Sequence, residues 1–481
     1  MLLSELLLRN DLGSKFDRPV TGLALDSRSV RPGDVFLALA GTQVHGEIYI
    51  ESALQKGAIA VLKEASVAGV ERLAGDIPCI SLPNLSQQLG DIAARFYGNP
   101  SRNMHVIGVT GTNGKTSVTH AIAYLLQAYA PCGLFGTLGY GIYGALQPGL
   151  HTTPDAIHLQ ALLAQLRSQN VSQVVMEVSS HALAQGRVNG ISFESAVLTN
   201  LSRDHLDYHQ TMTAYGDAKR RLFGMPHLKN AVINLDDAFG QSVLANLTVT
   251  PFTYSLRDKA ADVYGQIRAY NIHGCHIEIH SRWGEGELQS PWFGQFNVSN
   301  VLAALTVLLS MGFLLPQLLS QLASPPPVPG RMERFGQAHQ PTVIIDYTHT
   351  PDALKKTLLA LREHLKGKMW CVFGCGGSRD RGKRRLMGEV AQAYADKIII
   401  TDDNPRHEAS QAIIDDILQG CPEPAAVIPD RRRAIGYALD QAMVGDVVLI
   451  AGKGHEDYQE VGDQRLAFSD RAVVSELLFI Q

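Results

Sequence analysis

The run GVTGTNGKTS, residues 108–117, follows an apolar stretch beginning at His105 and leads into a helical pattern, so it reads as a strand, a glycine-rich turn and a helix. Small residues across Thr110, Gly111, Thr112, Asn113 and Gly114 let backbone amides point at phosphate oxygens, and the helix N-terminus favours their negative charge. Lys115 is placed to reach the β- and γ-phosphates of a nucleotide, and Thr116 to ligate magnesium. The strict P-loop pattern asks for glycine at Val109, whereas this chain offers Gly108 and Gly111. The segment points to phosphate binding without identifying a reaction.

A second group of ionisable side chains lies downstream. Glu177 follows the apolar Val174–Met176 and so puts a carboxylate at the carboxyl end of a strand, where the ligands of α/β sheets gather. A single carboxylate is a weak metal site, because the ion needs several converging oxygens, but Ser179, Ser180 and His181 follow it directly. After a further apolar stretch, Ala196–Leu198, the run TNLSRDHLDYH at 199–209 concentrates Arg203, Asp204, His205, Asp207 and His209 at another strand end, with His205 the candidate functional imidazole. Lys219, in AYGDAKRRLF at 214–223, reads on charge pattern alone as the basic turn of a solvated helix.

The elements that must position these groups form an α/β chain. At 481 residues it exceeds the size at which a single core stops growing, and three domains are expected. Residues 1–100 hold short apolar segments at 34–39 and 58–62 and close on a linker at 97–101; residues 101–329 carry a parallel, helix-covered sheet; the proline run at 324–330 introduces a third unit, 330–481. There the strands 343–346, 369–373, 397–400 and 447–450 alternate with helical stretches as in a doubly wound, Rossmann-like sheet. A net charge of −4 gives no reason to expect a nucleic acid or an anionic membrane recognised by bulk charge. The apolar stretch 301–315 is too short to cross a bilayer, and the first ten residues read as an amphipathic helix without the basic region or cleavage site of a secretion signal. Six scattered cysteines, of which only Cys371 and Cys375 lie close, fit a reducing cytoplasm.

Taken together, GVTGTNGKTS, MEVSSHAL, TNLSRDHLDYH, AYGDAKRRLF, PGRMERF, DYTHTPDAL, TDDNPRHE and AGKGHEDYQ occur in an order that resembles the Mur ligase family over essentially the whole chain. The resemblance implies a UDP-binding N-terminal domain, a central P-loop ATPase domain and a Rossmann-like C-terminal domain. It also implies an ATP-dependent amide ligase of peptidoglycan synthesis, in which a substrate carboxylate is converted to an acyl phosphate and then attacked by an amine. Thr116 and Glu177 would hold one magnesium and His205 would help hold a second, and Lys219 matches the lysine that the family carbamylates with carbon dioxide, which turns a cation into an oxygen ligand. Asn297, Arg331 and Asp346 match positions near the nucleotide. Thr348 stands where the family pattern has alanine, while Asp346 and His349 beside it are retained.

For the UDP-linked substrate, implied to be UDP-N-acetylmuramoyl-L-alanyl-D-glutamate, the matching positions are Leu25, Ser27, Thr42, Gln43, Val44, Thr152, Thr153, Ser179, Gln185 and Arg187. The incoming amino acid is implied to be meso-2,6-diaminopimelate, taken by Arg379, Asp403, Asn404, Pro405, Arg406, Gly452 and Glu456. Diaminopimelate differs from lysine in a second carboxylate, which the planar fork of Arg406 suits. Local chemistry alone reads the four residues Asp403–Arg406 equally well as a β-turn with a solvated arginine. The competing readings are the same scaffold adding L-lysine, a folylpolyglutamate-synthetase-like ligase, and a noncatalytic nucleotide-binding module. Arg406, the first-domain stretches, and the joint presence of Glu177, His205 and Lys219 argue against these in turn. The protein is expected to act as a monomer, with small-molecule substrates only.

Overall fold

The structure, a computed structural model, describes residues 1–9, 12–41, 45–271, 273–337 and 339–480. The mixed α/β chain divides into two compact units, Met1–Thr253 and Tyr254–Gln481. No helix among the described residues is long and apolar enough to cross a membrane.

The first unit opens with a five-stranded sheet, ordered Gly22–Ala24, Asp34–Ala38, Ala60–Glu64, Ile77–Leu82 and Gly69–Leu73. All neighbours are parallel except the last pair. The amphipathic start of the chain is a short helix, Leu3–Leu7, whose Leu3 and Leu6 are buried in the core beside this sheet.

The larger sheet of the same unit includes, in order, Asn230–Asn234, Phe193–Leu198, His105–Thr110, Gln173–Glu177, Cys132–Gly136, Gly139–Ile142 and Ala145–Gln147. Its first five strands are parallel and covered on both faces, which is why Val106–Val109, Val174–Met176 and Ala196–Leu198 are continuous apolar runs rather than alternating ones. His105–Thr110 lies between strands that come later in the chain on both sides, Gln173–Glu177 and Phe193–Leu198. The strand order therefore reverses there, and the three segments that follow these parallel strands leave the sheet at the same end, where ligands of such sheets bind.

In the second unit, the strands Val263–Asn271, Gly274–Ser281 and Gly284–Ser290 form an antiparallel meander, and the helix Gln295–Ser310 packs on the first of them. A six-stranded sheet follows, ordered Glu333–Phe335, Thr342–Asp346, Val447–Ala451, Met369–Phe373, Lys397–Ile400 and Ala426–Val427. Every pair is parallel except the first. Asp346, Gly452, the loop 374–381 and the loop 401–409 consequently emerge at the same end of that sheet.

Candidate active site

In the first unit, the glycine-rich turn leaves the strand His105–Thr110 and closes at Gly114, the N-cap of the helix Lys115–Gln127. Gly111 has φ +144°, and a Cβ there would lie 1.9 Å from Thr199 Oγ1, so glycine is required on both counts. The turn is clamped by the segment after the neighbouring strand. Thr112 N donates to Asn200 O at 2.8 Å, Asn113 N to Asn200 Oδ1 at 3.0 Å, and Thr199 Oγ1 to Asn113 O at 2.6 Å.

Two lysines converge on this turn. Lys115 Nζ donates to Gly111 O at 2.9 Å and Thr112 O at 3.0 Å, while Lys219 Nζ donates to the same Gly111 O at 2.8 Å. Lys219 is 1% exposed, which corrects the charge-pattern expectation of a solvated basic turn. The reason is helical spacing. Thr211 caps the helix Met212–Arg220, and Tyr215, four residues before Lys219, puts its ring beneath the ammonium at 4.4 Å on the face that Gly216 and Ala218 also bury, while Asp217 stays exposed. Burial and the nearby Lys115 charge hold the Lys219 amine well below its usual pKa.

Glu177, the last residue of its strand, is 1% exposed and accepts from Thr137 N at 2.9 Å and Thr137 Oγ1 at 3.2 Å. Gly136 makes room for it, since a Cβ there would stand 2.4 Å from Glu177 Oε1. A chain of contacts then joins the positions matched to the UDP-linked substrate. Thr152 Oγ1 lies 3.1 Å from Thr137 Oγ1, and Thr153 Oγ1 donates to Glu177 O at 2.8 Å. Ser179 N donates to Thr153 Oγ1 at 3.2 Å, Arg187 Nη1 to Thr153 O at 3.0 Å, and Arg187 Nε to Gln185 Oε1 at 2.8 Å.

His205 has φ +51° and begins the short helix Leu206–His209, with its ring centroid 4.8 Å from that of His181. Burial pushes the pKa of both imidazoles down, and in His205 the Lys115 and Lys219 charges add to the effect. Leu25 is half-buried and Ser27 buried just after the strand Gly22–Ala24. Thr42, Gln43 and Val44 lie outside the described residues.

In the second unit, Asn297 sits in the first turn of the helix Gln295–Ser310, donating to Phe293 O at 3.0 Å and accepting from Asn300 Nδ2 at 3.2 Å. Asp346 accepts from Met332 N at 2.8 Å and from the Thr348 hydroxyl, the group added where the family pattern has alanine, while burial raises its pKa. The Arg331 guanidinium lies 4.7 Å from the Tyr347 ring centroid.

The arginine-bearing turn is not solvated. Arg406, at φ +51°, donates from Nη1 to Gly377 O at 3.0 Å and places Nε 2.7 Å from Glu460 Oε2, with its side chain 21% exposed. Asn404 Nδ2 donates to Glu456 Oε2 at 3.0 Å, Gln459 Nε2 donates to Asp403 O at 2.7 Å, and Gly452 N donates to Asp346 O at 3.1 Å. At Gly452, φ is +119° and a Cβ would stand 2.4 Å from Asp403 Oδ2, so the turn and the strand end fit only with glycine between them. Pro405 is buried, whereas Arg379 remains exposed on the neighbouring loop.

Sequence reasoning misses Gly136, Thr137, Tyr215, Lys453 and Glu460. The spacing of Tyr215 to Lys219 is a usable signal for the tyrosine; Thr137 and Glu460 carry no local signal.

Models of the Mur ligase family match in sequence: its catalytic-domain model over residues 19–97, its middle domain over 109–308, and its glutamate ligase domain over 330–454. A protein of Alkalilimnicola ehrlichii named UDP-N-acetylmuramoyl-L-alanyl-D-glutamate--2,6-diaminopimelate ligase is 52% identical, covering 97% of this chain and 96% of its own. A Pseudomonas syringae protein of the same name is 50% identical over 94% of each. A solved structure described by that enzyme name superposes with a TM-score of 0.72 at 39% identity, covering 96% of both chains. Half of the residues are thus shared along nearly the full length, and the glycine turn, Glu177, Lys219 and the Arg406 turn all fall within the matched segments: the chain belongs to the Mur ligase family.

Proposed function

We propose that this chain is the ATP-dependent ligase that joins meso-2,6-diaminopimelate to UDP-N-acetylmuramoyl-L-alanyl-D-glutamate in peptidoglycan synthesis, acting as a cytoplasmic monomer. The observation that carries this reading is the Arg406 turn. A half-buried guanidinium is held at Nη1 by Gly377 O and at Nε by Glu460 while Nη2 makes no hydrogen bond among the described residues, an arrangement suited to a substrate's distal carboxylate. Lysine has no group to place there.

In this reading, the amides of Thr110–Thr116 cradle the ATP phosphates, and Lys115 counters the repulsion between the γ-phosphate and the attacking carboxylate. Asn297, Arg331 and Asp346 serve the nucleotide. Thr152, Thr153, Ser179, Gln185 and Arg187 bind the muramyl peptide, with Leu25, Ser27, Thr42, Gln43 and Val44 on the uridine side. Attack by the carboxylate oxygen on the γ-phosphorus releases ADP and leaves an acyl phosphate. The neutral amine of the incoming amino acid then adds to its carbonyl carbon, and phosphate departs as the amide forms.

Thr116 and the buried Glu177 carboxylate would hold one magnesium ion, the His205 imidazole would help hold a second, and Lys219 as an N6-carboxylysine would add an oxygen ligand. Burial beside Lys115 favours the free amine of Lys219, the form whose lone pair adds to the carbon of CO2 with loss of a proton to give a carbamate. Bound there, magnesium would supply positive charge to the transferring phosphoryl group. Asp403, Asn404, Pro405, Arg406, Gly452, Glu456 and Arg379 shape the amino-acid pocket.

The test is ADP release and product mass with ATP, magnesium and the UDP-linked dipeptide, with diaminopimelate or L-lysine in parallel. Product with diaminopimelate alone is the expected result. Product with lysine would keep the ligase and overturn the specificity, and product with neither would overturn both.

A further inference from the structure

The amino-acid pocket of the proposed reaction contains a cation that the substrate assignment leaves unused. Lys453, in the turn after the strand Val447–Ala451, is fully buried. Its Nζ donates to Asn404 Oδ1 at 2.9 Å and to Glu456 Oε2 at 3.2 Å, and the Tyr458 ring lies 5.5 Å away. Asn404 Oδ1 also accepts from Glu460 N at 3.0 Å. With two donors fixed on that oxygen, the Asn404 amide has one satisfactory orientation, and its Nδ2 donates to Glu456 Oε2 at 3.0 Å. Glu456 is thereby held through a single oxygen, Oε2, by two donors, and its side chain keeps 15% exposure. Oε1 has no hydrogen-bond donor among the described residues.

We infer that Lys453 is a positioning residue for recognition of the substrate's distal ammonium: it pins Glu456 Oε2 and locks the Asn404 amide, so that Glu456 presents Oε1 to the amine at the far end of the incoming amino acid. A buried lysine that merely filled space would incur the desolvation of its charge without return, whereas here that charge is paired with a carboxylate it holds in place at a strand end where the Arg406 turn also emerges. Arg406 and Glu456 then read the two groups of one distal α-amino-acid centre, the carboxylate and the ammonium. Lys453 bonds Glu456 and not Arg406.

This inference rests on the proposed diaminopimelate-adding activity, and the experiment separates the two. Wild type, Lys453→Met, Glu456→Gln and the double variant are assayed with diaminopimelate and with 2-aminoheptanedioate, which keeps the distal carboxylate but lacks the distal ammonium. Lys453→Met is expected to lower kcat/KM for diaminopimelate by about tenfold to a hundredfold, the range for one charge-assisted contact. It should leave kcat/KM for 2-aminoheptanedioate and the KM for ATP within about twofold. The double variant, which removes both charges, should be no worse than Glu456→Gln alone, and it keeps the question answerable if Lys453→Met folds poorly. Equal losses with both amino acids, or additive losses in the double variant, would overturn the positioning role. A wild type inactive with diaminopimelate would instead remove the functional reading, and this inference with it.

Discussion

Replacing Arg406 by lysine isolates the side chain's contribution, because the backbone there is held independently of it. Arg406 N donates to Glu460 O at 2.9 Å, Gly462 N donates to Arg406 O at 2.7 Å, and lysine tolerates φ +51° no worse than arginine does. The guanidinium can keep Gly377 O at 3.0 Å and Glu460 at 2.7 Å while turning its remaining N–H groups to a substrate carboxylate. An ammonium is a point charge at the end of a flexible stem and cannot serve all three partners in fixed geometry. One charge-assisted hydrogen bond is lost, about 1.5–3 kcal/mol, or about tenfold to a hundredfold in kcat/KM for diaminopimelate. With L-lysine as acceptor there is no distal carboxylate to lose, so the ratio of the two specificity constants should fall by the same factor while the KM for ATP stays put. Coupled ADP release with each amino acid, checked by product mass, measures that ratio. An unchanged ratio would remove Arg406 from substrate selection, and a rise in the KM for ATP would show that the substitution had disturbed more than the fork.

Lys219→Ala should lower the rate of ADP release by about a hundredfold to a thousandfold, the usual scale for one electrostatic contact to a transferring group, and millimolar formate or acetate should restore part of it; undiminished activity would exclude the carbamate. Gly136→Ala has an unstrained backbone but sets a Cβ 2.4 Å from Glu177 Oε1 and 3.0 Å from its Cδ, so the carboxylate must move. Activity should fall about a hundredfold, with a higher magnesium requirement and little change in melting temperature; a normal magnesium titration would argue against Glu177 as a ligand. Arg431→Met strands the carboxylate of Asp470 in a pair whose members are both 0% exposed, bonded at 2.8 Å through Nε and through Nη2. The cost should be about 3–5 kcal/mol of stability, read from the urea midpoint at constant m-value.

Motifs in the chain reveal what local chemistry can encode: the glycine turn, the carboxylate at a strand end, and the apolar runs of the parallel sheets. Lys219 shows where this stops. Its neighbours Arg220 and Arg221 give the sequence a solvated look, and only the helical face shared with Tyr215, packed beneath the Gly111 turn, makes it a buried amine. The support of Glu177 by Thr137 is not legible in sequence, because the two are 40 positions apart and meet only through the Gln173–Glu177 and Cys132–Gly136 pairing. Glu460 likewise reaches Arg406 only because the hairpin Tyr458–Val461 and Gln464–Ala467 folds beside that turn. A residue whose role lies in holding another has no reason to carry a signature in its own neighbourhood.

The two units treat buried cations differently, and the difference bears on what each must bind. In the second unit, buried cations meet protein carboxylates: Arg384 with Glu408 and Asp416, Arg431 with Asp470, Lys453 with Glu456. These charges are settled within the fold, and in the proposed reading they fix loops so that Arg406 Nη2 and Glu456 Oε1 would be left for a zwitterionic ligand. At the glycine turn, Lys219 instead donates to a backbone carbonyl, which satisfies a hydrogen bond but not a charge. Burial and Lys115 press it towards the neutral amine, and an amine in that state can remain neutral or gain an anion by reacting with carbon dioxide. Of the two states, only the carbamate would add an oxygen ligand at the Gly111 turn, where phosphoryl transfer calls for a bound cation rather than another protein-borne one.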